Sequence, residues 1–537
     1  MPPLLCLDLG TSSAKAALID IEGSPLATAN APYPATSLPD GGSEQDPEHW
    51  IRAARTAITH VLPRSADVAA LCLTGQMQDL ILESSTSGDH GAVRPAILYT
   101  DLRASTDARE IREGLARAGE DWDALAGNQQ DASSCAAMFR RLARVEPETV
   151  GRARGITFGP AGHLAQRLGA GPWCDPTTAS TTGLLDARTR DWSPAVARAA
   201  GIDPALLPRL ARGVGEVVGR TGESARDLFG LSVDIPIVLA PGDAGAAAIG
   251  VTGTAPGHDH ASLGTSGWIA SIRAVHEEYA SSADASHRLA LGELELRISA
   301  VLAAGAAAAW ARDTFLHGAS PAEADALLEQ RELEHGRGPT GLLVLPSLGG
   351  ERYPVRDDAL RGAVLGLDHM THPVDLYAAT LEGVAFALSH ALEPSEQGVA
   401  PAGGDAASSS ADALLTVVGG GAASAPWRRI LADVTGRPVH SIERDGRRAD
   451  ARTPETAQVD ATLLGASIAG AEALGLEHRI APLAERTGET TAPDPSAAEA
   501  YARLRPAHRA LYEAAADIER PQTVEPPSGD RSQDRII

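Results

Sequence analysis

The stretch LLCLDLGTSSAKAALID, residues 4–20, decides how this chain is read. Two short apolar runs, LLCLDLG and AKAALID, flank a turn of glycine, threonine and serine, which predicts a β-hairpin of two buried strands. Asp8 closes the first run and Lys15 lies just inside the second. Lys15 is the only lysine among 537 residues; arginine supplies all the other fixed positive charge. A Gly-Thr-Ser turn between strands presents consecutive backbone N–H groups and hydroxyls, a concave nest for phosphate oxygens. Asp8 beside it suits Mg²⁺, which takes few carboxylates and keeps its waters. Lys15 would add a compact positive charge for the phosphates. The plainer reading is a turn aspartate accepting local N–H bonds and a surface lysine.

Beyond the hairpin, PLATANAPY predicts a third strand, Pro47 to Val61 a helix, and VAALCLTGQ another strand. This order implies a mixed sheet with helices, not a simple doubly wound one. The opening pattern then returns in DHASLGTSGWIASI, residues 259–272. LGTSS at Leu9–Ser13 and LGTSG at Leu263–Gly267 agree in four of five positions. Two related lobes follow, residues 1–252 and 253–519, each a mixed sheet flanked by helices, with a disordered tail at 520–537. SEQGVAPAGGDAASSSAD (395–412) and ERDGRRADARTPETAQVD (443–460) read as unstructured and carry no expected chemistry.

Two later segments carry candidate chemistry. IPIVLAPGDAGAAAIG, residues 235–250, is an apolar strand followed by a helix of small residues. It places Asp243 at the junction, as an exposed carboxylate or as a helix N-cap. LLTVVGGGAASAPWRRILADVTGRPV, residues 414–439, is a strand, three glycines and an amphipathic helix. The glycines would let the backbone approach a nucleotide base. Gly419, Gly421 and Ser424 also approximate G-x-G-x-x-G, so a NAD-dependent dehydrogenase stays open at this point.

Composition narrows the class. Hydrophobic residues make up 43% and charged residues 22%, values of a globular protein. A formal net charge of −24 argues against a nucleic-acid or anionic-membrane surface, so an anionic ligand must be held by local donors. The four cysteines, Cys6, Cys72, Cys135 and Cys174, have no metal-type spacing and read as reduced core thiols of a cytoplasmic protein. No basic leader precedes the first strand and no apolar run is long enough to span a bilayer. A homodimer is left open.

Taken in order, these motifs resemble the FGGY carbohydrate kinases over nearly the whole chain up to about Ala515. LDLGTSSAKAAL resembles that family's first phosphate motif, SLGTSGWIA its second, and VVGGGAASAPWRRILADVTGRPV its adenosine motif. GAVLGLDHMTHPVDLYAATLE, residues 362–382, is similar to its C-terminal signature, and GLLVLPSLGGERYP before it is also family-like. EQDPEHW (44–50), TGQMQDL (74–80), AILYTDLRA (96–104) and DPTTASTTGLLDARTRDW (175–192) resemble the xylulokinase branch.

The resemblance implies an α/β, two-lobed actin/hexokinase-like (ribonuclease H-like) ATPase fold, with ATP and Mg²⁺ as cofactors. It implies phosphorylation of a ketose hydroxyl, D-xylulose to D-xylulose 5-phosphate first. Another pentulose, an alditol, a longer ketose, or a catalytically silent sensor on the same fold are the alternatives. It assigns Asp243 as catalytic base and Asp8 to the metal and phosphates. Gly10, Thr11, Ser12, Ser13, Lys15, Gly264, Thr265 and Ser266 fall to the phosphates, and Gly419, Gly420, Gly421 and Ala422 to adenosine. Met77, Gln78, Tyr99, Asp101, Arg103 and Asp243 fall to the sugar.

Three departures bear on substrate choice. Gln78 stands where xylulokinases usually have histidine, and Ala244 where they have asparagine. The mid-chain signature is reduced to AAMFRRLARVEPE, with Met138 and Arg141 replacing its Lys and Trp.

Overall fold

A computed structural model describes residues 2–62, 67–85, 91–275, 286–392, 414–442 and 460–518. The predicted hairpin is present as β1 (Leu4–Leu9) and β2 (Ser13–Ile19), antiparallel, with Asp8 directly opposite Lys15. Strand β3 (Pro25–Pro32), helix α1 (Pro47–Val61) and strand β4 (Ala70–Gly75) follow where the apolar periodicity placed them. Asp46 caps α1 through the Glu48 N–H, and Pro47 occupies its first turn, where a missing N–H costs nothing.

With β5 (Glu216–Arg220) and β6 (Pro236–Leu239), these strands form a six-stranded sheet in the order β5-β6-β4-β1-β2-β3. Helix α2 (Cys135–Val145) belongs to a subsidiary layer beside it, and helix α3 (Asp243–Thr252) leaves the end of β6. Met138, in the altered mid-chain signature, is buried on α2 and keeps a packing role.

The second sheet is built from β7 (Asp259–Leu263), β8 (Gly267–Ala274), β9 (His287–Leu291), β10 (Leu294–Val301), β11 (Leu415–Val418), β12 (Val439–Ile442) and β13 (Gly488–Thr491). Its order is β9-β10-β8-β7-β11-β12-β13. Setting aside the edge strand β9, the two sheets correspond strand for strand. β1 and β7 each pair antiparallel with the next strand of their hairpin and parallel with β4 and β11 respectively. Parallel β4–β6 matches parallel β11–β12, and antiparallel β5–β6 matches antiparallel β12–β13. Only chain order differs at the outer strand, since β5 precedes β6 whereas β13 follows β12. The five-residue echo in the sequence thus marks a duplication of a whole sheet.

Helices α4 (Gly305–Phe315), α5 (Ala425–Thr435) and α6 (Ala461–Ala473) complete the parts needed here. α3 and α6 cross between the two sheets. Their backbones touch: a Cβ on Gly250 would collide with the Ala461 carbonyl, and one on Gly465 with that of Ala246. Around the crossing, a single apolar cluster joins Leu4, Cys6 and Val238 of the first sheet to Ala270, Ile272 and Leu296 of the second. All four cysteines are free and buried. No described helix is long and apolar enough to cross a membrane. The 395–412 stretch, residues 443–459 and the 520–537 tail lie outside the described residues. Asp460, the last residue of the charged segment, is described and stands at the N-cap of α6.

Candidate active site

The two Gly-Thr-Ser turns are braced in a parallel manner by different means. In the first, Gly10 N–H donates to the Ser13 carbonyl at 3.1 Å and closes the turn. The Gly10 carbonyl accepts from the Tyr33 hydroxyl, and the Thr11 carbonyl accepts from Gln45 Nε2 at 2.6 Å. Gln45 is itself fixed, since its Oε1 accepts from Trp50 Nε1 at 2.9 Å and Gln76 Nε2 at 3.0 Å. In the second, the Gly264 carbonyl accepts from Gly305 N–H at 2.8 Å, and the Thr265 carbonyl from the Ala304 and Ala306 N–H groups at 3.0 Å each. Corresponding carbonyls are occupied in both copies. What either turn retains for a ligand is N–H groups and the hydroxyls of Thr11, Ser12, Ser13, Thr265 and Ser266, the equipment an anion needs. The charged pair belongs to the first turn alone, because Ser262 and Ile269 stand where Asp8 and Lys15 would be.

Gly419, with φ 95°, lies against the backbone of Leu263, the residue before the second turn, where a Cβ would come within 2.7 Å of its carbonyl oxygen. Gly421 lies against Leu263 and Trp427, and Gly420 faces open space. Ala422 is buried in the same short 3₁₀ turn, and Ser424 caps α5 through the Trp427 N–H. Gly419 and Gly421 therefore seat this loop against Leu263, beside the second Gly-Thr-Ser turn. Their strand stands in a mixed sheet beside an antiparallel hairpin, not in a doubly wound parallel one.

Asp8 is almost wholly buried, 4% exposed, at the end of β1. Its Oδ2 lies 3.7 Å from Lys15 Nζ, while its Oδ1 is buried without a hydrogen-bond partner. Burial pushes its carboxyl up to about 7; Lys15 opposes the rise, and the charges of Asp243 and Asp460 add to it. Lys15 donates to Asp460 Oδ2 at 2.7 Å. Burial weakens this ammonium, but Asp460 and Asp8 more than compensate and hold it protonated above its ordinary value. Asp460 caps α6 through the Thr462 N–H at 2.9 Å, so the helix that crosses α3 also delivers a carboxylate to Lys15. The sequence reading missed Asp460, whose only signal was an aspartate directly before a helix of small apolar residues.

Asp243 is the first residue of α3, and Gly242 takes the N-cap position considered for it. Its Oδ1 accepts from the Ala244 N–H at 2.7 Å. Burial raises its carboxyl to about 6; the Ala244 N–H and Lys15 oppose the rise, and the Asp175 charge adds to it. Asp175 accepts the Gly242 N–H at 3.0 Å, which fixes the loop before the helix. A Cβ on Gly242 would collide with the side chain of Met77, so Met77 lies directly beside the residue that precedes Asp243. Buried Asp79 accepts the Tyr99 N–H at 3.2 Å, and burial, with the charge of Asp243, raises its carboxyl well above the usual range. Neither Asp79 nor Asp175 was singled out in the sequence.

Gln78 reaches Ser133, and Tyr99 reaches the first turn through Thr11 at 3.3 Å. Asp101 and Arg103 are turned on each other: Nη2 of Arg103 lies 2.6 Å from Asp101 Oδ2 and 2.7 Å from Glu44 Oε1, and Asp101 also takes the Ser43 N–H at 3.0 Å. Among the described residues, the arrangement expected for sugar contacts at these two positions is a closed ion-pair network. No described cluster of three or more His, Cys, Asp or Glu side chains could grip a metal by itself. The unpartnered, buried Oδ1 of Asp8 fits the alternative, a hydrated cation held by one carboxylate and by the ligand's own oxygens.

Residues 4–250 match the profile of the N-terminal domain of the FGGY family of carbohydrate kinases, and residues 261–449 that of its C-terminal domain. The chain is 31% identical over 397 residues to the xylulose kinase of Streptomyces rubiginosus, covering 73% of this chain and 76% of that protein. It superposes on the xylulose kinase of Rhodospirillum rubrum with a TM-score of 0.80 at 25% identity, over 96% of this chain and 99% of the other. A gluconate kinase from Lactobacillus acidophilus superposes with a TM-score of 0.78 at 23% identity, over 96% and 99%, a likeness of fold alone.

Proposed function

Because the chain belongs to the FGGY family of carbohydrate kinases, and the dehydrogenase reading falls with that membership, we propose a specific reaction for it. The chain transfers the γ-phosphoryl group of ATP to a ketose hydroxyl, converting D-xylulose to D-xylulose 5-phosphate. The observation that carries this reading is the grouping of Asp8, Lys15 and Asp243: Lys15 Nζ lies 3.7 Å from Asp8 Oδ2, and the charges of Lys15 and Asp243 both act on the Asp8 carboxyl.

Phosphoryl transfer has a loose transition state, so positioning and charge neutralisation do most of the work. Asp243, near 6, is ionised at neutral pH yet basic enough to accept the hydroxyl proton. Met77 and Gln78 border the sugar. The two turns offer N–H groups to the phosphates, Lys15 adds a positive charge beside them, and the loop at Gly419–Ala422 receives adenosine. Mg²⁺, held by Asp8 and the phosphates, would neutralise charge on the polyphosphate when bound.

Ala244 and Gln78 favour a second reading of the substrate, in which another pentulose, an alditol or a longer ketose is the acceptor, or the site binds without turnover. The test is ADP release by wild type and Asp243→Ala with a panel of ketoses, alditols and aldonates. Turnover with D-xylulose that vanishes in the variant supports the proposal. Undiminished turnover in Asp243→Ala removes the base, and turnover confined to another sugar removes D-xylulose.

A further inference from the structure

β9 is the edge strand of the second sheet and pairs with β10 on one side. An edge leaves a row of main-chain groups without a ladder partner. Here the first lobe supplies partners with its side chains. Asn128 treats Arg288 as a neighbouring strand would: its Nδ2 donates to the Arg288 carbonyl at 2.8 Å, and its Oδ1 accepts the Arg288 N–H at 2.7 Å. Two residues on, Ser180 Oγ accepts the Ala290 N–H at 2.9 Å, and Thr177 Oγ1 donates to the Ala290 carbonyl at 2.8 Å. The partners lie 110 to 160 positions earlier in the chain, so the second sheet is continued across the lobe boundary by side chains.

Thr177 and Ser180 stand on or at the end of a short helix, Pro176–Thr181, packed against the start of α3. Buried Asp175 caps this helix through the Thr178 N–H at 2.9 Å. The same Oδ1 accepts the N–H of Gly242, the residue before Asp243, at 3.0 Å. A Cβ on Gly242 would come within 2.8 Å of Thr178 Oγ1, and one on Gly245 within 3.1 Å of Thr177 Oγ1. The wholly buried Thr177 side chain therefore lies between the first turn of α3 and Ala290 of β9.

Asp243 belongs to the first lobe, whereas the second Gly-Thr-Ser turn and the Gly419–Ala422 loop stand on the sheet that β9 borders. In-line transfer needs base and phosphate in register across that boundary, and a misplacement of about 1 Å costs on the order of 10²-fold. We propose that Thr177, supported by Ser180 and Asn128, is a positioning residue for Asp243. It ties the second lobe's edge strand to the helix that begins with the base, and so sets where the base stands relative to the phosphates. This inference rests on the sugar-kinase reading and adds the residues that align its two lobes. Asn128 and Ser180 also border the cavity beside Gln78, so Thr177 isolates the tie from contact with the sugar.

Thr177→Val keeps the shape of the side chain and removes its hydrogen bond; Thr177→Ser keeps the bond. Both are assayed with ATP and D-xylulose, alone and combined with Asp243→Asn. Thr177→Val lowers kcat about 10–100-fold and leaves KM for D-xylulose and for ATP within about threefold, and Thr177→Ser recovers most of the loss. On the Asp243→Asn background Thr177→Val costs less than about threefold, since a residue acting through the base has nothing left to position. A wild-type kcat in Thr177→Val, or a loss of the same size with and without Asp243, overturns the inference. Ser180→Ala removes only the acceptor of the Ala290 N–H, is read in the same way, and decides the matter should Thr177→Val fail to fold. Wild type inactive on D-xylulose but active on another sugar removes the D-xylulose reading, and the same comparison on that sugar decides this one. Wild type inactive on every sugar overturns both.

Discussion

Lys15 Nζ sits 2.7 Å from Asp460 Oδ2 and 3.7 Å from Asp8 Oδ2, so the chain's single lysine is shared between a neighbouring carboxylate and one 445 positions further along the chain. With Asp8 directly across the strand pair, the lysine would fold back onto that carboxylate if nothing opposed it. Asp460 supplies the opposing pull. Replacing it by Asn should let Lys15 collapse onto Asp8 and lower kcat/KM for ATP about tenfold, the size of one lost charge-assisted bond. Asp460→Glu should recover most of the loss. Steady-state kinetics at varied ATP and saturating sugar read this out.

Asp243→Asn keeps the size of the side chain and removes its basicity. Its kcat should fall by roughly 10²–10⁴-fold while KM for sugar changes little. Unchanged circular dichroism and melting temperature would show that the loss is chemical.

The raised carboxyl of Asp243 also fixes a pH limb. In the proposed reaction Asp243 acts only when ionised, so kcat/KM should drop as pH falls through about 6. Burial comes first among the causes, and the charge of Asp175 adds to it. Asp175→Asn should therefore move the limb to lower pH, visible in a profile from pH 4.5 to 8.

Asp8 has the opposite bearing on stability. Its folded carboxyl titrates near 7, above the unfolded value, so the folded state retains a proton that the unfolded chain has already released. This contribution is fully present below the unfolded value and is lost as pH rises through about 7. Asp8→Asn should be more stable than wild type at pH 8, by on the order of 3 kcal/mol, with the gap closing near pH 4. Urea unfolding of both proteins at the two pH values checks the sign.

Gly465→Ala should damage the fold itself. Its new Cβ would enter the space held by the Ala246 carbonyl of α3, a backbone atom that cannot rotate away. A loss of at least about 1–3 kcal/mol follows, measurable by denaturant titration.

Local patterns in the sequence made much of this legible. Alternating and continuous apolar runs predicted β1 to β4 and α1, and the repeated Gly-Thr-Ser turn predicted the second hairpin. Asp243 was placed at its strand-to-helix junction by the small residues after it. Asp460, Asp79, Asp175, Gln45 and Tyr33 were not legible, because what they do depends on partners brought close only by the folded chain. Asp460 was hidden further by its position at the end of a charged segment that reads as solvent-exposed loop. Asp101 and Arg103 show the converse: the motif was visible, but not that their charges would be spent on each other and on Glu44.

The two phosphate-type turns differ in how a lineage could lose them. Tyr33 and Gln45 prop the first through side chains, so a single codon change can remove a strut. The second rests on main-chain amides of residues 304–306, and it needs glycine at 305, where a Cβ would come within 2.5 Å of the Gly264 carbonyl oxygen. Each turn therefore hangs on single codons, Tyr33 and Gln45 for the first and Gly305 for the second, and a descendant that had changed any of them would have loosened the corresponding half of the cradle.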